Sequence, residues 1–459
     1  MRRLYMTPPS TAISADDQVY LGIQWQSLDT TVNFSQARSR ATCRVAGGTT
    51  MTQFTDAPIF DADQHMYETP DALTKYLPEQ FRPKVQFVQI GRHTRIAILN
   101  KITDYMPNPT FERVAAPGAH EKFYSGQNPE GLTMREMSGR GIETPPGARN
   151  PEDRIAELDR QGVDACLNYP TLANLVEHSA AEDPDLTAAI IHALNQWMLE
   201  RWGFNHANRI YSTPVLTLGL VDEARRELEY ILDNGAKVAL IKPAPVNGYK
   251  GWRSPALPEF DPFWRDVEDA GLPIVLHASQ PPLQEYIDRW EPPSTSSAFE
   301  MSAFKWTALG HREIADMLTS LICHGTLTRF PKLRIASVEN GSAWIKPLFD
   351  DLQSTYSKMP QNFPEHPHDV FRRNIWVSPF WEGSVADVVE TVGWDKVMFG
   401  SDWPHPEGLA EPKRYWKYAE GMDRRRTYDF MGDNVRRFMG LPIANPDPEA
   451  IKPPALVNA

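Results

Sequence analysis

The chain has 459 residues, with 47 Lys+Arg against 59 Asp+Glu and a net charge of −12, a balance that argues against nucleic acid and anionic membrane surfaces as partners, since both need basic patches. Hydrophobic residues make up 41% and aromatic residues 10% of the chain, enough for a large core, so global disorder is excluded. No apolar run is long enough to offer a membrane-spanning helix.

Residues 1–57 are rich in Ser, Thr and Gln and lack an apolar period. No apolar stretch follows Met1-Arg2-Arg3 to make a signal peptide. The segment is expected to be a disordered extension, with Met51 as an alternative start. The three cysteines, Cys43, Cys166 and Cys323, are far apart and form no CxxC. They exclude a disulfide framework or thiolate zinc site and fit a reducing, cytoplasmic compartment. From residue 58 the pattern changes. Short apolar or β-branched runs at 59–63, 163–169, 211–218, 238–242, 273–277, 334–339, 374–378 and 396–402 predict strands. Amphipathic windows at 151–161, 184–202, 222–234, 262–270, 342–357, 384–391 and 424–438 predict helices between them. Eight such alternations are the count of an α/β (β/α)8 TIM barrel, placed here at 58–441. Two connections are too long for ordinary βα loops: 66–149, with a hairpin at 85–90 and 94–99, and 280–307. Following the first and fifth strands, they are expected to form lids over a site. A Pro-rich surface arm is expected at 442–459.

The chemistry-bearing residues stand at strand ends. Asp63 and His65, two apart, share one face of the first strand, and a carboxylate with an imidazole suits Zn²⁺ or Mn²⁺. A solvated Asp and a capping His fit that spacing equally well. His277 closes the wholly apolar run Leu272-Pro273-Ile274-Val275-Leu276, as a ligand or as a buried imidazole bonded to a carbonyl. Asp402 ends Val397-Met398-Phe399-Gly400-Ser401, ahead of a Pro-flanked turn carrying His405; it can ligate, move a proton beside a metal, or cap a helix. Lys242 ends the fourth strand and can bind a substrate carboxylate or pair with Glu339. Glu68 is one helical turn past His65 and within reach of its free ring nitrogen. His324 reads as a helix C-terminal residue.

Together these motifs resemble the amidohydrolase superfamily, in the "amidohydrolase 2" branch with aminocarboxymuconate-semialdehyde decarboxylase and gamma-resorcylate decarboxylase. The resemblance spans about 59–441. It rests on Asp61-Ala62-Asp63-Gln64-His65, Glu157-Leu158-Asp159-Arg160-Gln161-Gly162, Glu339-Asn340-Gly341, Gly400-Ser401-Asp402-Trp403-Pro404-His405 and Asp433-Asn434-Val435-Arg436. It implies one divalent metal, Zn²⁺ first and Mn²⁺ second, held by Asp63, His65, His277 and Asp402. Asp402 and Glu339 are implied as catalytic acid/base groups, and Lys242 and His405 as substrate-binding residues. Two positions depart from the pattern: Asp63 replaces the usual His or Glu ligand, and Glu339 replaces the histidine of a His-Gly-Gly. The implied activity is non-oxidative decarboxylation of a small aromatic or apolar carboxylate. Hydrolysis of an ester, amide, lactone or thioester by metal-activated water is the alternative, and a non-catalytic ligand-binding barrel is the third reading. The aromatic-rich stretch with Trp290, Phe299, Phe304 and Trp306 suits an apolar substrate body, a lid core or an oligomer contact. A homo-oligomer, a dimer, with no nucleic-acid or membrane partner is expected.

Overall fold

The computed structural model describes residues 57–292, 297, 299–380, 385–419 and 422–444. Of the expected extension and tail only Ala57 and residues 442–444 are described; the rest of both lies outside.

Seven parallel strands form two sheets. The first has the order β1 (Phe60–Met66), β2 (Ala165–Pro170), β3 (Ile210–Ser212), with the short strand Asn205–His206 antiparallel at its edge. The second runs β4 (Ala239–Ile241), β5 (Ile274–His277), β6 (Ile335–Val338), β7 (Ile375–Val377). Every residue of these seven strands is buried, as expected for parallel strands covered on both faces by helices. The fold is thus α/β, with small antiparallel additions.

The run 396–402, expected as an eighth strand, forms no regular ladder, yet it is bonded on both sides. Met398 N–H donates to Val377 O (2.9 Å), Ala62 N–H to Phe399 O (2.9 Å), and Asp402 N–H to Asp63 O (2.7 Å). Single bridges link Val377 with Val397, Gln64 with Trp403, and Val215 with Leu240. Gly400 explains the tight approach to β1. A Cβ there would stand 2.8 Å from Asp63 Cβ and 2.5 Å from Ser378 Oγ, so any side chain would displace Asp63.

Helix α1 (Pro151–Gln161) has the predicted bounds because both ends are coded locally. Asn150 accepts from Asp153 N–H, Pro151 opens the first turn, and Gly162 ends it in the left-handed region at φ 63°. Helices α2 (Pro184–Arg201), α3 (Val221–Asp233) and α4 (Asp261–Ala270) follow their strands as expected. Helix α5 (Arg312–Cys323) is capped by His324. The expected helix at 424–438 is interrupted by a π-helical turn, Asp429–Asp433, whose carboxylates pair with Arg425 and Arg437. In the long connection after β1, the hairpin forms from Val85–Ile90 and His93–Ile98, and a third strand, Lys101–Thr103, extends it.

Candidate metal centre

The site is built where β1, β5, β6 and the run 396–402 end. The register β1/β2 shifts between Asp61 and Gln64, a bulge of the kind that re-aims side chains. Asp61, on the near side of the bulge, is buried and accepts from Ser401 N–H (2.9 Å), Ser401 Oγ (2.5 Å) and Gln64 Nε2 (2.9 Å). It ties β1 to the segment carrying Asp402, and burial pushes its carboxyl up to about 7.

Beyond it, Asp63 and His65 turn inward. His65 Nε2 lies 3.4 Å from Asp63 Oδ1, 3.4 Å from Asp402 Oδ1 and 3.1 Å from His277 Nε2. His277 Nε2 lies 3.5 Å from Asp63 Oδ1 and 3.1 Å from Glu339 Oε2. Its Nδ1 is 2.7 Å from Ala278 O; a proton donated there leaves the Nε2 lone pair facing the cluster. His405 stacks on His65 at 3.9 Å between centroids and brings Nδ1 to 2.7 Å from Asp402 Oδ1, without the alignment of a hydrogen bond. Glu339 and Asp402 have φ values of 58° and 56°. A non-glycine residue in that left-handed region is strained, and here both such residues end a strand at the cluster.

Two overlapping groups of ligand-type atoms result: Asp63, His65, His277 and Glu339, and His65, Glu339, Asp402 and His405, each with its atoms within 4.8 Å of one another. The donor set fits a divalent cation. Asp63 Oδ1 and both oxygens of Asp402 are buried and accept no hydrogen bond, two imidazole nitrogens face each other, and carboxylates surround them. A positive ion relieves each of these costs at once. Burial first, then Glu339, Asp63 and Glu407, hold Asp402 well above the carboxylate range, and burial with Asp63 and Glu407 does the same to Glu339. Burial pushes His65 down to about 4, and burial, His65 and His277 push His405 far down. Asp63 alone stays below its usual range, because His277 and His65 facing it outweigh its burial.

The sequence reading placed Glu339 near the cluster as an acid/base; the structure draws it among the ligand atoms. Lys242 is not brought here. The charges that act on it are Glu177 and Glu313, and those on Glu339 are Asp63 and Glu407, so the alternative pairing of Lys242 with Glu339 is replaced by a separate cluster. Glu68 does not reach His65 either. Its Oε1 accepts from Leu172 N–H (2.8 Å) and no hydrogen bond ends on His65 Nδ1, because the chain after Met66 turns away toward β2.

Three features escaped the motif reading. Arg154 is fully buried between the rings of Trp202 and Trp403, donating to Gly147 O, Gln64 Oε1, Asn168 Oδ1 and His65 O; a charged residue inside an amphipathic helix gives no hint of that. A cavity of about 320 Å³ opens beside the cluster, with Tyr67, Tyr105, Phe111 and Phe299 in its walls and Glu339 and His405 at its strand-end side. Phe111 and Phe299 come from the two long connections expected to act as lids, and Tyr67 stacks on Phe111 at 4.6 Å. Of the other aromatics in the second connection, Trp306 packs on Phe123, whereas Trp290 rests on Phe304 and stays 66% exposed. Glu407 is the third, and also lines the cavity; burial pushes its carboxyl up to about 7. Only its place two residues past His405 marked it.

A profile of the family described as Amidohydrolase matches residues 60–441. The crystal structure of an amidohydrolase from Mycobacterium avium subsp. paratuberculosis K-10 is similar with a TM-score of 0.80 and 32% identity, covering 84% of this chain and 100% of that one. A gamma-resorcylate decarboxylase of Rhizobium radiobacter is 22% identical over 269 residues, 55% of this chain and 76% of its own length. The 5-carboxyvanillate decarboxylase of Novosphingobium aromaticivorans DSM 12444, crystallised with manganese and 4-hydroxy-3-methoxy-5-nitrobenzoic acid, shares the fold at a TM-score of 0.55 and 16% identity, over 84% of this chain and 96% of that one. Among the described residues no helix is long and apolar enough to cross a membrane.

Proposed function

The chain belongs to the amidohydrolase family and is a metal-dependent enzyme; from that premise we propose that it removes CO₂ from a small aromatic carboxylate. The observation that carries this reading is the cavity of about 320 Å³, aromatic in its walls and ending on Glu339 and His405. An apolar slot with a few convergent polar groups is what a flat, singly charged ring requires. The similarity to gamma-resorcylate decarboxylases points the same way.

We assign Asp63, His65, His277 and Asp402 as the residues that hold the ion, with Glu339 beside them. A nitrogen–oxygen set of this kind accepts Zn²⁺ and Mn²⁺ alike, and manganese is the ion in the Novosphingobium relative. When bound, the ion supplies Lewis acidity that neutralises a substrate carboxylate. The chain does the rest. Tyr67 and Phe111 orient the ring and exclude water. Asp402 donates a proton to the ring carbon that bears the carboxylate. The bond to the carboxylate carbon then breaks, its electron pair restores the aromatic ring, and CO₂ leaves. Asp402 remains ionised and takes a proton back from solvent. His405, 2.7 Å away, packs against the Asp402 carboxyl.

One observation favours hydrolysis as a second reading. Glu339 places a carboxylate 3.1 Å from His277 Nε2, where it suits removal of a proton from water. The two chemistries separate in one screen: metal analysis, then CO₂ release from substituted benzoic acids against cleavage of phenyl esters and lactones. Release of CO₂ with no ester cleavage is expected; the reverse overturns the reading.

We also take the two sheets as halves of one closed (β/α)8 barrel over 58–441, with 396–402 as its eighth strand. The bridges Val215–Leu240, Val377–Val397 and Gln64–Trp403 support it.

A further inference from the structure

Glu407 is the cavity carboxylate that neither the metal cluster nor the proton transfer uses. Its backbone is fixed by the turn that carries it. His405 N–H donates to Asp402 O (2.9 Å), Leu409 N–H to Ser401 O (2.8 Å), and His120 N–H to Pro406 O (2.7 Å). Gly408 makes the turn possible, since a Cβ there would stand 2.4 Å from Asp402 O. The turn is therefore pinned both to the strand end and to the connection after β1, and Glu407 reaches the cavity from a rigid base. It lies among the groups that line it: its charge acts on Tyr67, Tyr105, Glu339 and Asp402.

We propose that Glu407 is a specificity-determining residue that accepts a hydrogen bond from a donor substituent on the substrate ring, a hydroxyl or amino group, and rejects a second anionic substituent at that place. This rests on the aromatic-carboxylate reading of the site and deepens it. A carboxyl oxygen accepts in either protonation state, so recognition of the donor does not depend on its titration, whereas rejection of an anion belongs to the ionised carboxylate. A substrate that turns its carboxylate to the metal cluster presents another part of its ring to Glu407. A hydroxyl there gains a hydrogen bond to Glu407; hydrogen gains nothing, and a second carboxylate meets like charge when Glu407 is ionised. Sites built to bond a substrate donor reject the analogue that lacks it far more strongly than apolar pockets reject a missing methylene.

The test uses the full-length manganese-loaded protein and a panel of benzoic acids matched at each ring position, carrying hydrogen, hydroxyl or carboxylate. Affinity is read by calorimetry and CO₂ release is read in parallel. At one ring position the wild-type protein is expected to bind the hydroxyl compound at least ~10-fold more tightly than the hydrogen compound, and the dicarboxylate more weakly than either. In Glu407→Ala the hydroxyl preference should fall to about threefold or less, and in both Glu407→Ala and Glu407→Gln the dicarboxylate should gain about 10-fold. Unchanged ratios in a variant that folds and binds, or no discrimination by wild type, overturn the proposal, as does failure of every ring to bind. The expected binding pattern without CO₂ release retires the decarboxylation and leaves the role of Glu407 standing.

Discussion

Lys242 and His277 stand one strand apart, just past β4 and at the end of β5, and the charges around them are arranged in opposite ways. Around Lys242 the chain supplies its own cation. The ammonium faces the field of Glu177 and Glu313, and burial lowers its pKa while both glutamates work against that. Around His277 the carboxylates of Asp63, Glu339 and Asp402 pair, among the described residues, with imidazoles alone. Arg154, whose guanidinium donates to His65 O, spends N–H groups on carbonyl oxygens. Buried carboxylates are tolerated where a cation or a proton answers them. One cluster carries that cation covalently; the other has a place for a divalent ion. The difference separates a self-neutralised strand end from one that needs a cofactor.

The largest effect should come from removing a nitrogen donor. His277→Ala is expected to empty the metal site and abolish turnover, with the fold kept; metal analysis of the purified variant checks it. A fully loaded His277→Ala protein would remove His277 from the donor set. Next, Glu339→Gln should keep the metal and lose about 10²–10⁴ in turnover; loss of metal instead would make Glu339 a ligand and narrow the contrast between the clusters. Lys242→Met is the converse experiment. It should leave the metal content unchanged and lower stability by a few kcal/mol, because Glu177 and Glu313 lose their nearby cation; denaturant unfolding together with metal analysis measures both. A drop in metal content would show that the two clusters are one system.

The smallest effect concerns Glu68, a buried carboxyl with neither a lysine nor a metal ligand as its hydrogen-bond partner. Burial raises it from 4.5 to about 8. The folded state therefore holds this proton where the unfolded state has released it, and stability from this group falls as pH rises between those values. Glu68→Gln should flatten that part of the profile. Melting temperatures of the two proteins from pH 5 to 8 should diverge, the wild type falling more steeply; parallel curves would deny the shift.

Much of the site was legible because strand ends are local signals. His277 closes an apolar run, and Asp402 follows another, so their placement needed only the periodicity of a buried strand and a break in it. The partners of Lys242 and Glu68 were not legible. Lys242 lies in the field of Glu177 and Glu313 from two other elements, and Glu68 meets the backbone of Leu172 past β2, relations no local pattern encodes. The run 396–402 was half legible: its apolar pattern is plain, but it forms no regular ladder, with Asp402 at a left-handed φ and Gly400 passing close against Asp63.

By itself the sequence determined the alternation of strands and helices, the bounds of α1, the hairpin at Val85–Ile90 and His93–Ile98, and which side chains stand at strand ends, since period, caps and turns act over a few residues. Only the tertiary structure decided that Glu339 stands within reach of the ligand-type atoms, that Arg154 is buried between two tryptophans, and that Phe111 and Phe299 from separate connections wall the same cavity as Glu407. Those outcomes depend on the bulge in β1, on strand register and on where two long connections come to rest, and such contacts form only when segments far apart in the chain pack together.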